Sequence, residues 1–196
     1  MDFKIVFFGP SNAGKTSIIE RYCSNVFNVD TLSTIGAQFF TKTIEVNNEL
    51  INLYIWDTAG DERFGSMQTS YVRGSNALVL TYDLSNPNYE YLKNMLRLFR
   101  DEVKAESPEK LPVMILGNKL DLIDDSDIDR LKMEVEEFCR QTNLSLYQFV
   151  SAKEDTNINE SFLLLSEQLI KVETYSAAPS IQLMAGGKKQ NSGNCC

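Results

Sequence analysis

The residues Gly9-Pro10-Ser11-Asn12-Ala13-Gly14-Lys15-Thr16 fit the pattern G-x-x-x-x-G-K-[ST]. They follow an apolar run rich in strand formers, Phe3–Phe8, and open a helical pattern, Lys15–Cys23. That is the setting in which the pattern binds phosphate. Such a loop turns its backbone N–H groups inward as a nest for phosphate oxygens. The helix N-terminus behind it adds partial positive charge. Lys15 would reach the β- and γ-phosphates, and the Thr16 hydroxyl offers an oxygen ligand to Mg²⁺, a hard cation that prefers oxygen. Asn12 suits a loop this tight, because after glycine it best tolerates positive φ. The pattern implies a nucleoside triphosphate and leaves the base open.

The base is addressed further along. Asn118-Lys119-Leu120-Asp121 reads N-K-x-D and follows the strand candidate Val113–Leu116. The Asp121 carboxylate can accept two hydrogen bonds from the guanine N1–H and 2-amino group. Adenine offers no such donor pair on that edge, and a site built on such bonds discriminates by ~10⁴ or more. Ser151-Ala152-Lys153 follows the last strand candidate and could offer a backbone N–H to the guanine oxygen. These residues argue against an unrelated ATPase or kinase with the same phosphate loop.

Taken in order, Gly9–Thr16, Thr34, Asp57-Thr58-Ala59-Gly60, Asn118–Asp121 and Ser151–Lys153 resemble the guanine-nucleotide motifs of the Ras superfamily, and within it the Rab-type small GTPases. The likeness extends to Ile35-Gly36-Ala37-Gln38-Phe39, Tyr54-Ile55-Trp56-Asp57, Glu62-Arg63-Phe64 and Tyr71-Val72-Arg73-Gly74. It covers about residues 3–172 and returns at Cys195-Cys196. The resemblance implies GTP or GDP as ligand and Mg²⁺ as cofactor. The implied nucleotide contacts are Ser11, Asn12, Ala13, Gly14, Lys15, Thr16, Ser17, Phe27, Thr34, Gly60, Asn118, Lys119, Asp121, Ser151, Ala152 and Lys153. Phe27 would stack on the guanine, although a core phenylalanine on an amphipathic segment reads the same way. Thr16 and Thr34 would ligate Mg²⁺, with Asp57 holding it through water. The Gly60 N–H would meet the γ-phosphate, so loss of that phosphate would relax loops at about 29–38 and 59–70. Lys15, Thr34 and Asp61 are the implied catalytic positions. Phe39, Trp56 and Tyr71 correspond to an aromatic effector surface; the competing reading of Trp56 is an ordinary core-facing strand residue.

Asp61 departs from the family pattern, which usually reads D-T-A-G-Q-E where this chain has Asp57-Thr58-Ala59-Gly60-Asp61-Glu62. The missing Gln orients the attacking water in this reaction. A Gln amide donates and accepts, whereas an ionised Asp only accepts. Either hydrolysis is slow and the GTP state favoured, or an activating protein or Asp61 acting as a base compensates. A guanine-nucleotide-binding scaffold with negligible hydrolysis is the alternative function.

Around these motifs, apolar strand candidates alternate with helical patterns. The strands fall at Phe3–Phe8, Gln38–Val46, Leu50–Trp56, Ala77–Tyr82, Val113–Leu116 and Leu144–Val150. Asn47-Asn48-Glu49 is a hairpin turn between the second and third. Helices are predicted at Lys15–Cys23, Tyr89–Ala105, Asp129–Thr142 and Asn159–Val172, with a weaker stretch at Ser66–Arg73. This alternation predicts an α/β fold: a mostly parallel sheet covered by helices on both faces, with one antiparallel edge strand. The resemblance makes it the six-stranded, three-layer P-loop NTPase (Ras-like) fold. Ligands in such sheets sit at the carboxyl ends of the strands, where every motif above falls. Residues 1–173 form the GTP-binding domain; from Thr174 the composition turns small and polar, and 174–196 reads as a flexible tail.

The chain has 196 residues and a net charge of −8. At that length about 70% of the unfolded surface can be buried without a disulfide or metal staple. The acidic balance argues against broad nucleic-acid binding. The chain has no histidine, which excludes Ser-His-Asp triads, Cys-His dyads and histidine metal sites. Its four cysteines, Cys23, Cys139, Cys195 and Cys196, make no C-x-x-C pair; the first two read as buried reduced thiols. Met1-Asp2-Phe3-Lys4 lacks the features of a secretory signal, and no apolar run approaches the ~18 residues of a membrane span. Asp124, Asp125, Asp127 and Asp129 suggest a calcium loop, but Arg130 stands where that loop needs Gly; they read instead as a solvated loop whose acids favour the next helix N-terminus. By resemblance, Cys195-Cys196 would carry two geranylgeranyl groups, firm anchoring where one chain is marginal, and Lys188 and Lys189 would add ~1 kcal/mol each near anionic lipid. The expected protein is a monomer on the cytosolic face of intracellular membranes, cycling with the cytosol. Its implied partners are an exchange factor, a GTPase-activating protein, a GDP-dissociation inhibitor and Rab effectors.

Overall fold

The structure, a computed structural model, describes residues 1–29, 33–60 and 70–177. Its strands are β1 (Asp2–Phe8), β2 (Ala37–Val46), β3 (Glu49–Thr58), β4 (Ala77–Asp83), β5 (Val113–Asn118) and β6 (Leu146–Phe149). Its main helices are α1 (Lys15–Ser24), α2 (Tyr89–Glu102), α3 (Asp125–Thr142) and α4 (Ile158–Ala177). The six strands are ordered β2-β3-β1-β4-β5-β6. Only β2 runs antiparallel to its neighbour; β1 pairs in parallel with β3 and β4, β4 with β5, and β5 with β6. The three-layer, mostly parallel sheet expected from the sequence is therefore present.

Alternation along β1 explains its unbroken apolar run. Phe3, Ile5 and Phe7 enter one core cluster with Ile18 and Ile19 of α1 and Phe162, Leu165 and Leu169 of α4. Val6 and Phe8 enter the opposite cluster with Leu92, Leu96 and Phe99 of α2 and Leu131 and Val135 of α3. A parallel strand buried on both faces has no polar side to show. The chain goes to one side of β1 for β2 and β3 and to the other for β4, β5 and β6. The loop after β1 thus sits where the strand order reverses, the crevice in which sheets of this kind bind ligands.

Several element ends differ from the sequence reading, each for a local reason. Asn47 and Asn48 both have positive φ, 53° and 65°, and Val46 pairs with Glu49. The turn therefore has two central residues, and Glu49 joins β3. Helix α3 starts at Asp125, four residues before the predicted Asp129. Asp125 and Asp127 lie in its first turn, where the helix dipole favours them, so the acidic run is more helix than loop. Leu144 N–H donates to Cys139 O behind Asn143 at φ 56°; that helix cap takes Leu144 out of β6. Helix α2 ends at Glu102, and Lys104 at φ 58° turns the chain away. Helix α4 continues to Ala177, past the composition change at Thr174. Nothing in residues 171–177 breaks a helix, and Thr174 Oγ1 donates back to Lys171 O at 2.9 Å. Residues 70–72 are helical; the rest of the weak helical stretch lies outside the described residues.

Candidate functional site

The loop after β1 is shaped by contacts that only glycine permits. Gly14 has φ +86°, and a Cβ there would fall 2.2 Å from Asn118 Nδ2. At Gly60 a Cβ would fall 2.4 Å from Ser11 N, so the end of the β3 loop lies directly on the phosphate loop. Asn12 takes φ 62°, as its type suggested. Ala13 is buried, while Ser11 and Asn12 are exposed at the loop rim. Lys15 is only 5% exposed, and its Nζ donates to Gly9 O at 2.8 Å and Pro10 O at 3.0 Å. Burial pulls its ammonium down to about 8, partly offset by the nearby Asp57 charge. A buried cation framed by backbone carbonyls and amides is a ready anion receptor.

Three oxygen groups named from sequence converge beside it. Thr16 Oγ1 donates to Asp57 Oδ2 at 2.6 Å, and Thr34 Oγ1 lies 3.0 Å from Thr16 Oγ1 and 3.3 Å from Asp57 Oδ2. Asp57 is fully buried at the end of β3, and its Oδ1 has no hydrogen-bond partner. Burial raises its carboxyl above the usual carboxylate range, opposed by the Thr16 hydrogen bond, Lys15 and Thr34. A buried carboxylate oxygen without a partner is costly, and an all-oxygen donor set suits Mg²⁺. The residues fit the metal that the resemblance implies.

The base loops are bound to the phosphate loop and to each other. Asn118 is buried; its Nδ2 donates to Ala13 O at 3.0 Å, and its Oδ1 accepts from Ala152 N at 3.2 Å. Ser151 Oγ donates to Asp121 Oδ1 at 2.6 Å and accepts from Glu154 N at 3.1 Å. Lys153 Nζ lies 3.7 Å from Asp121 Oδ2. Lys119 sits at φ 66° and pairs with Asp83 at 2.7 Å. Burial opposes ionisation of Asp83, but hydrogen bonds from Lys119 and Ser85 carry its carboxyl below the ordinary value.

Phe27 is half-buried and packs against the α1–α4 core cluster. Ser17 is half-buried in the first turn of α1. Phe39, Trp56 and Tyr71 form one patch: the Phe39 and Trp56 rings are 5.3 Å apart edge-on, and those of Trp56 and Tyr71 are stacked at 5.6 Å. Phe39 is 53% exposed. Trp56 and Tyr71 also lean on the α2–α3 core cluster, half-buried. Asp61, Cys195 and Cys196 lie outside the described residues.

Four contributors escaped the sequence reading. Tyr54 stacks on Phe39 at 6.0 Å; two residues before Trp56 on β3, it shares that face by strand alternation and could have been found. Asp83, Arg21 and Tyr91 carry no such signal, because each meets the site through a distant contact. The Tyr91 hydroxyl donates to Gly9 O at 3.4 Å.

A family model described as Ras family matches residues 4–171. The chain is 36% identical over 198 residues to Ras-related protein Rab-30 of Homo sapiens, covering 99% of this chain and 94% of that one. It is 35% identical over 165 residues to Ras-related protein RABG3b of Arabidopsis thaliana, covering 84% and 81%. It is 30% identical over 197 residues to Ras-related protein Rab7 of Cenchrus ciliaris, covering 98% and 96%. The chain belongs to the Ras family of GTP-hydrolysing small GTPases, and within that family to the Rab type. It is a GTP-binding switch of Rab-directed vesicle traffic.

Proposed function

We propose that the switch works through the residues assembled above, with GTP or GDP bound in the crevice after β1. The observation that carries this reading is the joining of the segments after β1, β5 and β6 through Asn118, which bonds to both Ala13 and Ala152, with Thr16, Thr34 and Asp57 meeting beside Lys15. Residues 11–17 hold the phosphates, with Lys15 on the β- and γ-phosphates. Asp121 accepts from the guanine N1–H and amine; Ser151–Lys153 give a backbone N–H to its oxygen; Lys119 and Phe27 flank the ring. Thr16 and Thr34 hold Mg²⁺, with Asp57 acting through water; when bound, the ion neutralises polyphosphate charge. Thr34 and the Gly60 N–H meet the γ-phosphate, so losing it frees the loops at about 29–38 and 59–70.

Asp61 makes this switch slow to turn itself off. Its carboxylate cannot donate a hydrogen bond, is one methylene shorter than the Gln it replaces, and is repelled by the triphosphate. The same replacement favours a second reading, a scaffold that binds GTP with negligible hydrolysis. Phosphate release from pre-bound GTP over hours, with and without cell extract, separates the two. Phe39, Trp56 and Tyr71 receive effectors, and an exchange factor, an activating protein and a GDP-dissociation inhibitor act on the monomer. Doubly prenylated Cys195 and Cys196 hold it to the cytosolic face of intracellular membranes between cytosolic phases. No helix among the described residues is long and apolar enough to cross a membrane.

The test of the site is competition of GDP, GTP, ADP and ATP against fluorescent GDP, with and without Mg²⁺. Guanine nucleotides should win and need the metal. Protein that refuses fluorescent GDP at micromolar concentration with Mg²⁺ supplied would refute the reading.

A further inference from the structure

Arg21 lies on α1, two turns behind the phosphate loop, and reaches across to the loop that follows β6. Its Nε donates to Ala152 O at 2.9 Å, and one terminal nitrogen donates to Lys153 O at 3.1 Å. The other terminal nitrogen donates to Asn25 O at 3.2 Å and Asn25 Oδ1 at 3.0 Å. Asn25 caps α1 at φ 55° and donates its own N–H to Arg21 O. The guanidinium is thus fixed on one side by the end of α1 and on the other by two successive carbonyls.

A carbonyl and the N–H of the same trans peptide point in opposite directions. Holding Ala152 O therefore aims the Lys153 N–H away from Arg21. Holding Lys153 O likewise aims the Glu154 N–H away, and that N–H donates to Ser151 Oγ at 3.1 Å. Ser151 Oγ in turn donates to Asp121 Oδ1 at 2.6 Å. On the remaining side, Ala152 N–H meets Asn118 Oδ1. Ala152 N–H, Glu154 N–H and Ser151 Oγ are each held by a neighbour, and Arg21 holds two of the loop's peptide planes. A planar fork with several donors in fixed directions suits that task, where an ammonium on a flexible stem would leave the two planes less fixed.

We infer that Arg21 is a positioning residue for base selection: by gripping Ala152 O and Lys153 O from behind, it sets the loop amides that face the guanine oxygen and steadies Ser151 on Asp121. The inference rests on the guanine-site reading above. It separates Arg21 from the phosphate-binding residues, because its contacts reach only the base loop and its own helix cap.

The test is competition of GDP and 6-thio-GDP against fluorescent GDP, on full-length parent, Arg21→Gln and Arg21→Lys. The thio analogue keeps the N1–H and amine read by Asp121 and replaces only the oxygen acceptor. Losing one well-aimed amide contact should narrow the preference for GDP over 6-thio-GDP about fivefold in Arg21→Gln. Arg21→Lys, which keeps the charge and an N–H donor group but loses the planar fork, should narrow it less. Hydrogen exchange across 151–155 in the GDP-bound protein should quicken in the same order, a readout that holds even where affinities fall too low to compare. Equal weakening of both nucleotides, with an unchanged ratio and unchanged exchange, would mark Arg21 as structural only and overturn the inference. Parent protein that binds no GDP would instead defeat the guanine-site reading on which it stands.

Discussion

At the residue scale, catalysis and binding rest on different side chains and can be separated. Asp61 is the motif position that departs from the family pattern. Restoring the amide in Asp61→Gln should raise single-turnover hydrolysis of pre-bound GTP, on the order of tenfold, by supplying both a donor and an acceptor to the attacking water. A rate equal to or below that of the parent would show that Asp61 already does this work. Asn118 is the opposite case, a buried group whose amide spans two loops. Asn118→Ala leaves a carbonyl and an N–H without their partner inside the protein. It should cost about 2–4 kcal/mol in urea unfolding and weaken GDP binding as the loops part.

Cys139 offers a titration at the same scale. Burial, then the nearby Glu136 charge, pushes its thiol from the ordinary value near 9 up to about 11. Between those values the unfolded chain gives up this proton while the folded chain keeps it. Its contribution to stability is therefore full below pH 9 and is lost as pH rises toward 11. Since the thiolate is the reactive form, alkylation of Cys139 in the folded protein should be slow at pH 8 and climb steeply only above pH 10. Mass spectrometry of the tryptic peptide checks this; rapid labelling at pH 8 would contradict the buried thiol.

At the scale of elements, what the sequence made legible was whatever is decided locally. The phosphate loop and its flanking strand and helix could be read because nest, glycine and helix start lie within one short segment. The turn at Asn47-Asn48 could be read for the same reason. Its two positive φ values make a further point testable: Asn48→Gly meets the preference of such turns for Asn-Gly and should stabilise the fold by about 0.5 kcal/mol in chemical denaturation. Strand order was not legible, because it depends on which faces of β1 the helices cover. The same limit hid Arg21 and Asp83, whose partners are 132 and 36 positions away in the chain. The start of α3 was misplaced by four residues, because Asp125 and Asp127 join its first turn through the helix dipole rather than the apolar period, while its end at Thr142 matched the sequence reading.

For the whole molecule, the question is how a change at one phosphate reaches a partner-sized surface. The geometry gives a short path. Asp57 and Trp56 are neighbours on β3, and Asp57 accepts from Thr34 while Trp56 stacks with Tyr71 and meets Phe39. Ala59 N donates to Gly36 O at 2.8 Å, which links the two loops directly above this strand. On the proposed reading, freeing Thr34 and Gly60 would loosen the chain next to both ends of this link, while β3 itself stays pinned in the sheet between β2 and β1. Trp56 is the only tryptophan in the chain, so its emission reports the patch without interference. Replacing bound GDP by a non-hydrolysable GTP analogue should shift the intensity or wavelength of that emission as Phe39 and Tyr71 settle against the indole. Phe39→Ala should shrink the change by removing one of the two rings. Identical emission in the two nucleotide states would mean that the phosphate site does not govern this surface.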